Sequence, residues 1–66
     1  MIITLNGTTC DIEDGTTGAV LITEQTGSGR GTAVAVDGEV VPRSVWDRTA
    51  LLEGQTVEMV TAVQGG

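Results

Sequence analysis

The chain has 66 residues, three arginines, nine acidic residues and a formal net charge of −6, with no lysine, histidine or tyrosine. This length corresponds to one small domain, and the acidity argues against nucleic-acid binding, which needs many lysines and arginines to neutralise phosphates. The missing residue types are the usual general bases and amine nucleophiles, so we predict that the protein is not itself an enzyme.

The single cysteine, Cys10, can form neither an internal disulfide nor, without histidine, a zinc site, so we expect no metal. An unpaired cysteine fits a reducing cytosol, no signal peptide follows Met1, and no apolar run approaches the ~20 residues of a membrane span. We therefore predict a soluble cytoplasmic protein with no membrane partner. Its acidity serves either docking on a basic protein surface or solubility alone.

A β-hairpin is predicted at the start of the chain. Asn6-Gly7 is typical of a type I′ turn, because both central residues of that turn need positive φ. The flanking segments, Met1–Leu5 and Thr8–Ile12, are the expected strands. Cys10 lies on the second strand, where a small core side chain is a more ordinary role than a reactive thiol.

One main helix is predicted after the hairpin, over Gly18–Thr26, with Leu21, Ile22 and Gln25 on one side. Thr17 has the hydroxyl that an N-cap uses to accept an early backbone N–H. Gly18 and the β-branched residues lower the intrinsic helix propensity, so packing must hold this helix in place.

The glycine-rich segment Gly27–Gly31 ends this helix and is predicted to be a mobile connector. A phosphate-binding loop is the alternative for so many glycines. The Lys-Ser/Thr pair of a P-loop does not follow, which favours the connector.

Two further strands are predicted next, joined by Asp37-Gly38 as a second hairpin turn: Thr32–Val36 and Glu39–Val41. Pro42 closes the second of them because it has no N–H to donate to a ladder. A brief helical turn through Val45, Trp46 and Asp47 follows, with Ser44 as its expected cap.

The last predicted strand is Thr56–Val63. Alternation places Val57, Met59 and Thr61 on one face, and Glu58, Val60 and Ala62 on the other. Because the strand is apolar on both faces near its end, we expect either a central position in the sheet or a docking surface.

This order of elements predicts an α+β protein with the β-grasp (ubiquitin-like) fold, in which one main helix packs across a mixed sheet of four to five strands. A hairpin and a later strand share the sheet, and the helical segment supplies the crossover that a parallel pair requires. We expect one domain over residues 1–62 and a flexible C-terminal tail over residues 63–66.

The tail ends in Gly65-Gly66, and terminal fraying is the simplest explanation for such a pair. The functional alternative is that the α-carboxylate of Gly66 reacts inside a partner enzyme. The four tail residues span about 13 Å when extended, and glycines without Cβ atoms pass through a narrow channel. The carboxylate is unactivated, so a partner would have to couple it to AMP before sulfur could attack it.

The sequence resembles the ThiS family of thiamine-biosynthesis sulfur carrier proteins. The similarity is carried by LNG at residues 5–7, DGTT at residues 14–17 and nearly everything from Val34 to Gly66. Within that half, the Val-Pro-Arg at residues 41–43, the turn at Gly54 and the ending VEMVTAVQGG are the most specific features.

The resemblance implies a carrier whose terminal glycine is adenylated by an E1-like, ThiF-type adenylyltransferase that uses ATP, with no cofactor bound by this chain. A cysteine-derived persulfide would then convert the adenylate to a thiocarboxylate, and a ThiG-type thiazole synthase would receive the sulfur. Gly66 would carry the sulfur, while Val63, Gln64 and Gly65 would lie in the partner's channel.

The docking face implied by this resemblance comprises Glu58, Val60 and Ala62, continuing to Val63. Ordinary sheet packing is the alternative for its apolar members. Three other functions also fit the residues: a sulfur carrier for another pathway such as molybdopterin synthesis, a ubiquitin-like protein modifier, and an interaction domain whose tail has no role.

Overall fold

A computed structural model describes residues 1–62 of the chain. Its elements are β1 (Ile2–Leu5), β2 (Thr8–Asp11), α1 (Gly18–Thr26), β3 (Thr32–Val36), β4 (Glu39–Val40), a 3₁₀ helix (Arg43–Arg48) and β5 (Thr56–Thr61). The predicted α+β class, with one main helix and a mixed sheet at the upper end of the expected strand number, is confirmed.

The five strands form one sheet in the order β2-β1-β5-β3-β4. β5 is the central strand. A central position was one of the two explanations predicted for its apolar faces, the other being a docking surface. β5 pairs parallel with β1, with Thr4 opposite Thr56, and antiparallel with β3, with Val34 opposite Met59. The strand that carries the tail is therefore held between two neighbours.

Both predicted hairpin turns are confirmed by their backbone angles. Asn6 and Gly7 have φ values of 48° and 81°, and Asp37 and Gly38 have 50° and 82°. Positive φ at both central positions is the requirement of a type I′ turn, whose twist matches that of the flanking strands.

One face of the sheet is covered by α1 and the 3₁₀ helix, and the core lies between these layers. Its buried members are Ile3, Leu21, Ile22, Val34, Trp46, Leu51, Val57 and Met59. Cys10 packs against this core as a partly buried residue, in agreement with its predicted role as a small core side chain. The other face of the sheet, which we call the open face, is not covered by residues 1–62.

The bounds of α1 and its cap agree with the prediction, because Val20 N donates to Thr17 Oγ1 at 3.3 Å. Of the three residues predicted on one side of the helix, Leu21 and Ile22 are buried and Gln25 is exposed. Gln25 lies in the last turn of the helix, where it borders a shallow surface depression next to the β1–β2 turn.

The cap predicted at Ser44 is wrong. The 3₁₀ helix begins at Arg43, with Pro42 in the cap position at φ −61° and no side-chain cap. Val45 N donates to Pro42 O at 3.0 Å, so the first turn closes on the proline carbonyl. Proline suits this position because its ring fixes φ at about −65°, close to the observed value, while ψ stays extended at 142°.

Two glycines next to Trp46 should respond oppositely to alanine. A Cβ at Gly18 would make ordinary contacts, the nearest at 3.5 Å from Trp46 O, whereas one at Gly29 would lie 3.1 Å from Ile22 Cγ2 and Trp46 Cζ3. Gly29 also has a φ of +74°. We expect Gly18→Ala to raise the free energy of unfolding by about 0.5–1 kcal/mol and Gly29→Ala to lower it. Urea denaturation measures both, and equal signs would contradict the packing described.

The Met1 amino group lies at the end of the sheet opposite Ala62. It donates to Ile12 O at 2.7 Å and forms ion pairs with Asp14 at 3.3 Å and Asp11 at 3.4 Å. Partial desolvation lowers the pKa of this amine, but the hydrogen bonds and charges of the two aspartates outweigh it, so the pKa is raised. Within residues 1–62, no helix is both long enough and apolar enough to cross a membrane.

Candidate functional site

The predicted reacting end of the chain, Val63, Gln64, Gly65 and Gly66, lies outside the described residues. The division into a domain over residues 1–62 and a tail over residues 63–66 therefore stays a prediction. What the structure describes is the base of the tail, by which we mean the end of β5 at Thr61 and the following Ala62, together with everything that holds it.

On the β3 side, the base of the tail is fixed by backbone and side-chain hydrogen bonds. Thr61 pairs with Thr32, and their hydroxyl oxygens are 3.3 Å apart. Ala62 N donates to Gly31 O at 2.8 Å. The chain thus remains hydrogen-bonded to the domain through Ala62, and this gives the tail a defined starting point.

On the other side of β5, β1 ends at Leu5. Beyond that point, the Asn6 side chain forms the hydrogen bonds to β5 that a longer strand would form. Met59 N donates to Asn6 Oδ1 at 2.7 Å, and Asn6 Nδ2 donates to Met59 O at 3.1 Å. The carboxamide therefore satisfies both backbone groups of Met59, as a neighbouring peptide unit would. Sequence reasoning identified Asn6 only as a turn residue, because this second role depends on a contact 53 positions along the chain.

We expect Asn6→Gly to separate the two roles of this residue. Glycine accepts the positive φ of the turn but makes neither bond to Met59. The loss of both bonds should lower the free energy of unfolding by about 1–3 kcal/mol and speed hydrogen exchange at the Met59 amide most. Asn6→Asp is the matched variant, since it keeps an acceptor for Met59 N but loses the donor. Unchanged exchange at Met59 in the glycine variant would show that the carboxamide does not support β5.

The open face contains the predicted docking residues Glu58, Val60 and Ala62, and all three are exposed. Val60 is 68% exposed, so its side chain is not part of the core, unlike that of neighbouring Met59. Ordinary sheet packing stays the alternative reading of Val60. Whether the three residues dock a partner stays a prediction.

Strand register adds three residues to this surface that sequence reasoning did not identify. Ala33 lies opposite Val60, and Ala35 lies opposite both Glu58 and Val40. Val40 is 72% exposed. These small and apolar side chains, together with Val60, form a strip across β4, β3 and β5, which we call the open-face strip. Only the pairing of distant strands brings these residues together, so no local signal could have found them.

Four of the nine acidic residues lie at the end of the sheet opposite the base of the tail. Asp11 and Asp14 contact the Met1 amine, Glu53 Oε2 accepts from Ile2 N, and Asp37 Oδ1 accepts from Thr56 N. These contacts all lie beside the first residues of β1 or β5, and parallel pairing places both strand starts at one end. These four carboxylates therefore lie away from Ala62.

The loop Gly27–Gly31 is packed against the domain. Gly29 is buried beside Ile22 and Trp46, and Gly31 lies against Ala62, where an added Cβ would be 3.7 Å from the alanine Cβ. The predicted end of the helix at Gly27 is confirmed, with a φ of 86° and Gly27 N donating to Thr23 O. Neither the predicted mobility of this loop nor the phosphate-loop alternative is tested by these contacts.

The side chains of residues 1–62 form no candidate metal site. Within residues 1–62, no group of three or more cysteine, aspartate and glutamate side chains could hold a metal ion. The Cys10 thiol is partly buried on β2. Residues 1–62 provide a hydrogen-bonded attachment point for the tail and an exposed apolar face beside it.

Comparison with known proteins shows similarity along the whole chain. The model of the ThiS family matches residues 3–66. The crystal structure of the thiamine biosynthesis protein ThiS from Geobacter metallireducens is 25% identical, with a TM-score of 0.84 and complete coverage of both chains. The solution structure of a thiamine biosynthesis protein from the same organism is 28% identical, with a TM-score of 0.80, covering 100% of this chain and 88% of that one. No curated protein sequence matches significantly.

Proposed function

Because this chain belongs to the ThiS family, we propose that it is a sulfur carrier of thiamine biosynthesis in which the Gly66 carboxylate is converted to a thiocarboxylate. The observation that carries this proposal is the extent of the family match, which continues through residue 66 and so includes the Gly-Gly end. The fold supports it, since the tail follows the central strand of the sheet and that strand is held on both sides.

The first step is activation of the carboxylate by an E1-like, ThiF-type adenylyltransferase. A Gly66 carboxylate oxygen attacks the α-phosphorus of ATP, the bond to the β-phosphate breaks, and diphosphate leaves. The product is an acyl adenylate, a mixed anhydride with AMP as its leaving group. This chain contributes the nucleophilic carboxylate and carries it on the tail into the active site. The partner binds ATP and supplies the electrostatic stabilisation that phosphoryl chemistry needs.

The second step replaces AMP by sulfur. The terminal sulfur of a cysteine-derived persulfide attacks the carbonyl carbon, AMP leaves, and an acyl disulfide forms. A thiol then attacks the donor's sulfur in that disulfide, which releases the thiocarboxylate and leaves a new disulfide with the donor. The thiocarboxylate sulfur is transferred to a ThiG-type thiazole synthase during formation of the thiazole ring.

Docking on the activating enzyme is assigned to the open-face strip together with Glu58 and Ala62. This surface is apolar at its centre and lies beside the base of the tail, so a partner that covers it would also receive residues 63–66. Val63, Gln64 and Gly65 then occupy the partner's channel, where the glycine lets backbone approach closely. We place the protein in the cytoplasm, where ATP and reduced thiols are available.

Intact mass spectrometry tests this function directly. The protein is incubated with a ThiF-type enzyme, ATP and a persulfide donor, and the expected result is a mass increase equal to replacing one oxygen by one sulfur. Fragmentation should place that change on Gly66. No change with an enzyme that loads a known ThiS protein would refute the sulfur-carrier function.

Two alternatives predict different products in related experiments. A protein modifier would be found joined through Gly66 to lysine side chains of other proteins. A carrier for molybdopterin synthesis would become thiocarboxylated but would transfer its sulfur to that pathway's acceptor and not to a thiazole synthase. Comparing both acceptors with the same loaded protein separates the two sulfur pathways.

A further inference from the structure

The backbone around Arg30 is fixed although its side chain extends into solvent. Arg30 N donates to Ser28 Oγ at 3.2 Å, and the flanking residues Gly29 and Gly31 are held by the core and by Ala62. Those two glycines have φ values of 74° and 67°, which L side chains rarely adopt and glycine adopts without strain. The loop therefore presents Arg30 from a defined position.

The three arginines differ in what their guanidinium groups contact. Arg43 lies over the Trp46 ring, with Cζ 5.6 Å from the centroid, and its Nη2 donates to Ser28 O at 3.5 Å. Arg48 donates to Ser44 O and lies 4.0 Å from Asp47. Within residues 1–62, the Arg30 guanidinium forms no ion pair or hydrogen bond. Of the three, it is the one available for an external contact.

Arg30 is also the basic residue next to the base of the tail. Its neighbour Gly31 accepts the hydrogen bond from Ala62 N at 2.8 Å, so the two segments are adjacent. The carboxylates that contact Met1, Ile2 and Thr56 lie at the other end of the sheet. A partner surface bearing carboxylates is therefore repelled by that end, and at the other end the Arg30 guanidinium offers it a positive charge.

We propose that Arg30 is a docking residue that pairs with a carboxylate at the rim of the channel into which the tail is inserted. This inference rests on the proposed function, because it names the chemistry of the activating enzyme's surface around the channel mouth. The open-face strip supplies the apolar part of the interface, and the charge of Arg30 orients the carrier on the activating enzyme.

The length of the tail determines which kinetic parameter this contact affects. Residues 63–66 span about 13 Å when extended, so an arginine beside Ala62 remains at the mouth while Gly66 reaches the reacting centre. A charge at the rim of an interface changes the association rate and its salt dependence more than it changes the chemistry. The effect of Arg30 is therefore on the KM for the carrier and not on kcat.

Charge reversal at Arg30 tests the proposal. The adenylation rate is measured as diphosphate release by a ThiF-type enzyme over a range of carrier concentrations, for wild type, Arg30→Glu, Arg30→Lys and Arg48→Glu. We expect Arg30→Glu to raise KM about tenfold with kcat preserved, and Arg30→Lys to remain near wild type. Arg48→Glu makes the same charge change on the 3₁₀ helix, and its KM should stay within about twofold of wild type.

Salt dependence gives a second readout that a fold defect would not produce. The wild-type KM should rise with ionic strength, and the Arg30→Glu variant should lose much of that dependence. Equal KM values for wild type and Arg30→Glu, a lower KM in the variant, or an equal rise in Arg48→Glu would each overturn the proposal. If wild type releases no diphosphate at all, it is the proposed function that fails, so the two failures are distinguishable.

Discussion

Extending the chain by a single alanine beyond Gly66 is expected to abolish sulfur loading, with a fall in the rate of thiocarboxylate formation of more than about 100-fold. The added residue converts the Gly66 carboxylate into an amide, and the new carboxylate lies one residue beyond the position in which the adenylating enzyme holds its nucleophile. Misplacement of a reacting atom by about 1 Å can cost a factor of about 100, and one residue is a longer displacement than that.

The matched control for this extension is Gly65→Ala in a chain of unchanged length. That variant keeps the carboxylate in place and adds one Cβ inside the channel, so we expect a smaller loss than the extension causes. Both variants should keep the urea midpoint of wild type. Among residues 1–62, the last buried core residue is Met59, which precedes both changes in the chain. A chain extended by alanine that is loaded at the wild-type rate would rule out Gly66 as the sulfur-carrying residue.

Replacing Trp46 by alanine is expected to cause the largest loss of stability of any single substitution in the domain. Trp46 is 6% exposed, contacts Gly29 and carries the guanidinium of Arg43 over its ring. Truncation of a buried aromatic side chain typically costs about 3–5 kcal/mol. A domain of this size has few other core residues to compensate, so we expect Trp46→Ala to be largely unfolded.

Trp46→Phe separates the packing of the ring from its hydrogen bond. Phenylalanine keeps an aromatic ring in the core but cannot donate to Val41 O, which Trp46 Nε1 contacts at 2.9 Å. We expect this variant to fold with about 1–3 kcal/mol less stability. Trp46 is the only aromatic residue, so far-UV circular dichroism replaces fluorescence as the probe. Wild-type stability in the alanine variant would contradict the role of Trp46 in joining the 3₁₀ helix to the core.

The local parts of the fold could be predicted from the sequence because their signals act over a few residues. Positive φ at Asn6-Gly7 and Asp37-Gly38, the hydroxyl of Thr17 and the glycine at the end of α1 are all set by short-range sterics and hydrogen bonding. The error at Ser44 arose between two local patterns, because the 3₁₀ helix begins at Arg43, earlier than expected, and the proline carbonyl closes the turn that Ser44 was expected to cap.

The sequence by itself determined the fold class, the two type I′ turns, α1 and the candidate reacting group at Gly66. It could do so because turn chemistry, capping and the list of available nucleophiles are properties of neighbouring residues or of composition. Only the tertiary structure decided that Asn6 supports Met59, that Val40 and Val60 share the open face, and that Arg30 lies beside the base of the tail. Each of these depends on strand order and register, which bring together residues that are about 20 to 50 positions apart.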